Sequence, residues 1–146
     1  ATLVVDNLEM DSNAELWVDA TNGPVSIYVW NDFILNSNTS VASTTFTPAD
    51  LQINLASDNI INPTQNIQLA EVALQSNSVL YGTIYAPNAQ IDVDSNFELF
   101  GAVVARQVHL DSNAFVHFDE ALLNASSNSS GATWEAVCWR RLAFQP

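Results

Sequence analysis

Residues 94–118 read DSNFELFGAVVARQVHLDSNAFVHF, and the phase of their apolar positions decides the fold. The run holds two copies of one marker, Asp94-Ser95-Asn96 and Asp111-Ser112-Asn113, 17 positions apart. Apolar residues alternate before each marker, at Ile91 and Val93 and again at Val108 and Leu110. They return after it, at Leu99 and Val103 and at Val116 and Phe118. A period of two means strands with one buried face, and an equal phase in successive segments means that those strands stack in parallel.

Working outward, the Ser-Asn marker recurs at Asn13, Asn38 and Asn77, so the spacings along the chain are 25, 39, 19 and 17. The interval of 39 reads as two repeats, with Leu51, Ile53 and Leu55 supplying an unmarked strand. The interval of 25 reads as one repeat with an outward loop around Asn22-Gly23-Pro24. The expected fold is all-β: a single-stranded parallel β-helix (β-solenoid), right-handed, of about six coils stacked at ~4.8 Å. Residues 1–146 form one domain in this reading, with a repeat core over 1–122 and a loop over 123–131. A C-terminal segment over 132–146 packs on or caps the rod. Asn tolerates left-handed backbone angles, and its amide can bond the same residue one coil away. Asn13, Asn38, Asn77, Asn96 and Asn113 are therefore expected to form a ladder at one corner. Gly82 and Gly101, each five positions after its Asn, mark a bend or bulge between the two strands of a coil.

Composition narrows the function classes. The chain has 146 residues, 16 Asp and Glu against three Arg and no Lys, and a formal net charge of -13. Binding a run of phosphates needs clustered cations, so nucleic acid is excluded as a partner. The same deficit disfavours anionic lipid, and no apolar stretch approaches the ~20 residues of a membrane-spanning helix, so membrane insertion is not expected. Cys138 is alone and cannot close an internal disulfide, while His109 and His117 are too few for a zinc cluster. A start at Ala1 without Met reads as a processed or excised piece of a longer protein.

The stretch LYGTIYAPNA at residues 80–89, followed by FGAVVAR at 100–106 and HFDEAL at 117–122, resembles an uncharacterised bacterial β-solenoid domain family of secreted, surface-anchored and type IV pilus-associated proteins. The resemblance is closest over residues 70–122. It implies a β-solenoid fold and an extracellular or bacterial cell-surface setting, and it assigns no catalytic residue. This sequence departs from the family pattern in its Asp-rich corner.

Two outward surfaces carry chemistry. Four positions after their Asn stand Trp17, Tyr81, Phe100 and His117, the last three on consecutive repeats, with Tyr85 nearby. A row of flat side chains on a rigid sheet suits a carbohydrate ligand, with Glu98, Thr83 and Asn88 as polar neighbours. The competing reading is a stabilising stack covered by the C-terminal Trp134, Trp139 and Phe144. The second surface is acidic: Asp94 and Asp111 precede their Asn by two positions, and Asp92 by four. Stacked carboxylates repel, so Asp92, Asp94 and Asp111 form a candidate metal set, with Ca²⁺ as the fitting ion. No recognised calcium loop is present, and a solvated acidic face that keeps the protein soluble explains the same residues. No cofactor is otherwise expected.

Parallel solenoids also host polysaccharide-cleaving enzymes, for which Asp92, Asp94 and Asp111, or Asp119 and Glu120 with Arg106, are the candidate groups. Repetition alone generates such carboxylates, and too few cations are present to hold an acidic polysaccharide, so no catalytic residue is expected. The leading expectation is a non-catalytic binding or adhesion module of a secreted or surface protein, whose partner is a glycan or a protein surface. The alternative is a structural or tip domain of a pilus-associated assembly.

Overall fold

The computed structural model describes residues 1–56 and 72–124. They form an all-β structure of eleven strands: β1 (Thr2–Val5), β2 (Leu8–Met10), β3 (Glu15–Val18), β4 (Val25–Val29), β5 (Phe33–Leu35), β6 (Ser40–Ser43), β7 (Leu51–Leu55), β8 (Val72–Leu74), β9 (Val79–Val93), β10 (Glu98–Leu110) and β11 (Phe115–Phe118). All belong to one sheet, and every pairing given for it is parallel. The sheet curls into a nearly closed, barrel-like arrangement, because the long strands β9 and β10 each bend to pair along three successive stretches.

The pairings fall into three stacks. The first holds β1, β4, β7 and the middles of β9 and β10, with Ile27 beside Ile53 and Ile53 beside Ile84. The second holds β2, β5, β8 and the ends of β9 and β10, where Leu35 pairs with Leu74, Leu74 with Val93, and Val93 with Leu110. The third holds β3, β6, the starts of β9 and β10, and β11. It runs through Leu16, Val41, Leu80, Leu99 and Val116. The alternating apolar residues from all three stacks point to one interior, where Ile27, Phe33, Leu35, Val41, Leu51, Ile53, Leu80, Ile84 and Ile91 are buried. Each such side chain contributes about 1.5–3 kcal/mol by leaving water, so these columns hold the stacks together.

Two features differ from the sequence expectation. The 39-residue interval is crossed in one step, because Phe33 pairs directly with Val72 and Ser40 with Val79. The strand at Leu51–Leu55 is thus no separate repeat. It lies between β4 and β9 in the first stack, and the added length is insertion between strands. Each of the last repeats also pairs along three stretches of strand, not two, since the chain bends at Gly82 and Gly101 and again near Pro87 and Arg106 without leaving the sheet.

The Ser-Asn markers make the corner between the second and third stacks. Asn13, Asn38, Asn77, Asn96 and Asn113 all have φ between 58° and 66°, the left-handed region. In the turns that begin with Asp, the Asp carbonyl accepts the N–H three residues on: Ala14 to Asp11 at 3.0 Å, Phe97 to Asp94 at 3.3 Å, Ala114 to Asp111 at 3.2 Å. The left-handed Asn then aims its own N–H at the Ser carbonyl one stack level away: Asn13 to Ser37, Asn38 to Ser76, Asn77 to Ser95, Asn96 to Ser112, at 3.0–3.3 Å. The backbone ladder therefore continues through the corner. The Asn96 side-chain amide also donates to Asn77 Oδ1 at 3.3 Å. Inside this corner Thr39 and Ser78 are buried and satisfy each other. The Ser78 hydroxyl accepts from Thr39 N–H and Oγ1 and donates to the Asn36 carbonyl at 3.0 Å.

A non-glycine residue without a polar side chain resists the left-handed region by roughly 1–2 kcal/mol. Asn96→Ala is expected to lower stability by about that amount in urea titration. Asn96→Gly, which removes the amide but accepts the backbone angle, should lose clearly less.

Candidate functional site

The outward positions of the third stack bring the aromatic residues into one row. In the register, Tyr81 stands beside Phe100 and Phe100 beside His117. Their rings are stacked face to face, with centroids 4.5 Å apart and planes at 7° for the first pair, and 4.4 Å and 11° for the second. Phe115 lies alongside, 6.0 Å from the His117 ring. The Nε2 of His117 faces the Glu98 carboxylate at 3.6 Å, and the Trp17 indole donates to Glu15 at 3.0 Å.

The row has a gap at Ala42, which pairs with Trp17. Phe46 fills it. This ring meets Trp17 edge to face at 5.3 Å and 76°, and meets Tyr81 at 5.4 Å and 86°. The segment after β6 is built to place it. Phe46 adopts φ 52°, and its N–H donates to the Ser43 carbonyl at 3.0 Å. Thr45 ties the turn together, its hydroxyl 2.9 Å from that of Ser43 and donating to Asp50 at 2.7 Å. A 3-10 turn, Pro48–Asp50, then leads into β7 with Pro48 buried. The left-handed angle at Phe46 costs roughly 1–2 kcal/mol, comparable to two edge-to-face contacts of about 0.5–1.5 kcal/mol each.

Glycines make room for this segment. A Cβ on Gly101, whose φ is 147°, would collide with the Gly82 carbonyl and approach Pro48 Cβ to 3.2 Å. A Cβ on Gly82 would lie 2.9 Å from the Leu51 carbonyl. The bend at these glycines and the Phe46–Pro48 segment together enclose an open groove of about 250 Å³, lined by Phe46, Pro48, Tyr81, Phe100, His117, Phe118 and Asp119. Asp119 closes the last turn. Its N–H donates to the Gly101 carbonyl at 3.2 Å and its carboxylate accepts from Ala121 N–H at 2.9 Å.

The structure sorts the sequence candidates. Trp17, Tyr81, Phe100 and His117 share the row, and Phe46 and Pro48 join it from a segment that the repeat alignment leaves out. The signal for Phe46 is the Ala at the fourth position after Asn38, a missing rung with an aromatic four residues further on. Tyr85 lies elsewhere. Beyond the Gly82 bend the strand enters the first stack, where Tyr85 pairs with Asn54 and Val104. Thr83 is on that same stack, and Asn88 sits a corner further on, its carbonyl accepting from Arg106 Nε at 3.2 Å. The expectation that the row offers ring faces is also changed, since Tyr81, Phe100 and His117 cover one another's faces and turn edges outward.

The acidic candidates lie along the last two levels of the second stack and its corner, Asp94 and Asp111 directly following the paired Val93 and Leu110. The Asp92 carboxylate accepts from Gln90 Nε2 at 3.0 and 3.3 Å and faces His109 Nδ1 at 3.6 Å. Asp111 Oδ1 accepts from Ser112 N–H at 2.7 Å. Among the described residues, no group of three or more His, Cys, Asp and Glu is placed to hold a metal ion. Arg106 lies at a different corner from Asp119 and Glu120, so that second set is not brought together. Trp134, Trp139 and Phe144 lie outside the described residues. No helix among the described residues is long and apolar enough to cross a membrane.

A family model described as "Domain of unknown function (DUF7305)" matches residues 1–125, and the chain belongs to that family. No curated protein and no solved structure matches.

Phe46→Ala removes both edge-to-face contacts and reopens the gap at Ala42. It is expected to lower stability by about 1–3 kcal/mol in urea titration, while Phe46→Tyr should leave it within about 0.5 kcal/mol.

Proposed function

We propose that this member of the DUF7305 family is a parallel β-solenoid acting as a non-catalytic binding module of a secreted or cell-surface bacterial protein, with the groove beside the aromatic row as its glycan site. Three stacks that repeat in register support a three-faced solenoid of about five turns, and the strong chirality of parallel crossovers gives it a right hand. One observation carries the functional reading: the groove of about 250 Å³ combines apolar ring surface with the polar tips of Tyr81, His117 and Asp119 on a rigid sheet. It is smaller than the ~300–1,000 Å³ of sites that enclose a whole small molecule, so it suits one ring of a longer chain. The nearby carboxylates of Glu98 and Asp119 accept hydroxyl hydrogens and repel anions, which favours a neutral glycan.

A second reading rests on the ring geometry. Rings stacked at 4.4–4.5 Å have their faces covered, which suits a spine that stiffens a spacer or tip domain in a pilus-associated assembly. The two readings separate in affinity electrophoresis through gels loaded with neutral, amino and acidic polysaccharides. Glycan binding predicts retardation on a neutral polymer. Tyr81→Phe keeps the stack but loses one hydroxyl bond, so it should weaken retention roughly fivefold, about 1 kcal/mol, at unchanged melting temperature. Absence of retardation on every polymer decides for the spine.

A further inference from the structure

The last level of the sheet is unfinished in a specific way. Val108, Leu110 and Val116 occupy inward columns, directly beside Ile91, Val93 and Leu99 in the register. One level earlier those columns are closed, with Ile91, Val93 and Leu99 at most 4% exposed. At the last level Val108, Leu110 and Val116 are 37–47% exposed, and Leu123 in the turn that follows is 61% exposed. The outer edge of this level is β11 together with the middle and end of β10, and its backbone groups have no further strand among the described residues. An open parallel edge over exposed core columns is the end that repeat folds cover with a capping element.

We infer that this end is the docking site for the chain's own residues 132–146. The segment follows directly from the end it would cover. Its Trp134, Val137, Cys138, Trp139, Leu142 and Phe144 supply the apolar surface that the open columns lack. Charge selects the same occupant. Residues 1–124 carry 15 Asp and Glu against Arg106 alone, whereas residues 125–146 carry Glu135 against Arg140 and Arg141. A second copy would bring one acidic end against another, with Asp94, Asp111, Asp119 and Glu120 facing their equivalents, while the C-terminal segment brings cations to those acids. Reach is sufficient, since the seven residues 125–131, rich in Ser, span up to about 23 Å when extended.

The test uses the 146-residue chain with Trp17→Phe and Trp30→Phe, which leaves Trp134 and Trp139 as its remaining indoles. Docking predicts emission at shorter wavelength than in the urea-unfolded chain and at least a threefold lower acrylamide quenching constant. Leu110→Ser in that background should shift the emission toward the unfolded value and raise quenching while far-UV circular dichroism stays unchanged. Unfolded-like emission and full quenching of the parent chain would overturn the inference without need of the Leu110 variant. So would protected indoles that are released by Tyr81→Ala and not by Leu110→Ser, which places the segment on the aromatic row. Indole protection that disappears on dilution, together with a dimer in sedimentation, would overturn it in favour of a second copy.

Discussion

Everything in this fold depends on five Asn residues holding a left-handed backbone angle at the same place in successive circuits of the chain. That angle turns the N–H of Asn13, Asn38, Asn77 and Asn96 toward the Ser carbonyl of the next level, so the hydrogen-bond ladder does not break where the strand direction changes. With the ladder intact, the register on both sides of the corner is fixed by backbone alone. The inward columns must then coincide, because a slip of one residue would turn every apolar side chain to solvent. Leu16, Val41, Leu80 and Leu99 fall in line as a result, and so do Tyr81, Phe100 and His117 on the opposite surface. The same constraint that buries the core assembles the row.

The parts legible in the sequence are those that repetition carries. The Ser-Asn markers locate the corner, the period of two separates inward from outward positions, and the fourth position after Asn identifies the row. What a linear alignment misses is where the chain leaves the repeat. Tyr85 has the right chemistry and the right neighbourhood in sequence, but the bend at Gly82 carries it onto another face. Phe46 belongs to no repeat, yet a left-handed turn brings it back over Ala42 to complete the row. The 39-residue interval has the length of two repeats and the topology of one, because insertion length and repeat length cannot be told apart by counting. For the acidic residues the register agrees with the alignment, since Asp94 and Asp111 directly follow the paired Val93 and Leu110, while Gln90 and His109 engage Asp92 and the Ser112 N–H engages Asp111.

The groove is a consequence of unequal circuits. Where the chain turns at Gly82 and Gly101 it needs no loop, and the corner stays flat enough for another segment to lie against it. One level earlier the chain takes seven extra residues between β6 and β7, and these fold back with Phe46 and Pro48 as their apolar contacts. A groove wall thus comes from the irregular circuit and its floor from the regular ones. Filling either glycine with a Cβ would push the wall off the floor.

The separations between paired residues bear on how the chain reaches this structure. Each strand pairing joins positions between 17 and 39 apart, so no pairing joins the two ends of the chain. Closing the longest of these intervals costs only about 0.7 kcal/mol more than closing the shortest. Order can therefore spread from one completed circuit to its neighbour. The β9–β10 pair combines short intervals of 17 and 19 with the longest ladder in the sheet, so it gains the most pairing for its loss of chain entropy. A chain synthesised from one end acquires structure progressively along its length, with each new repeat templated by the last.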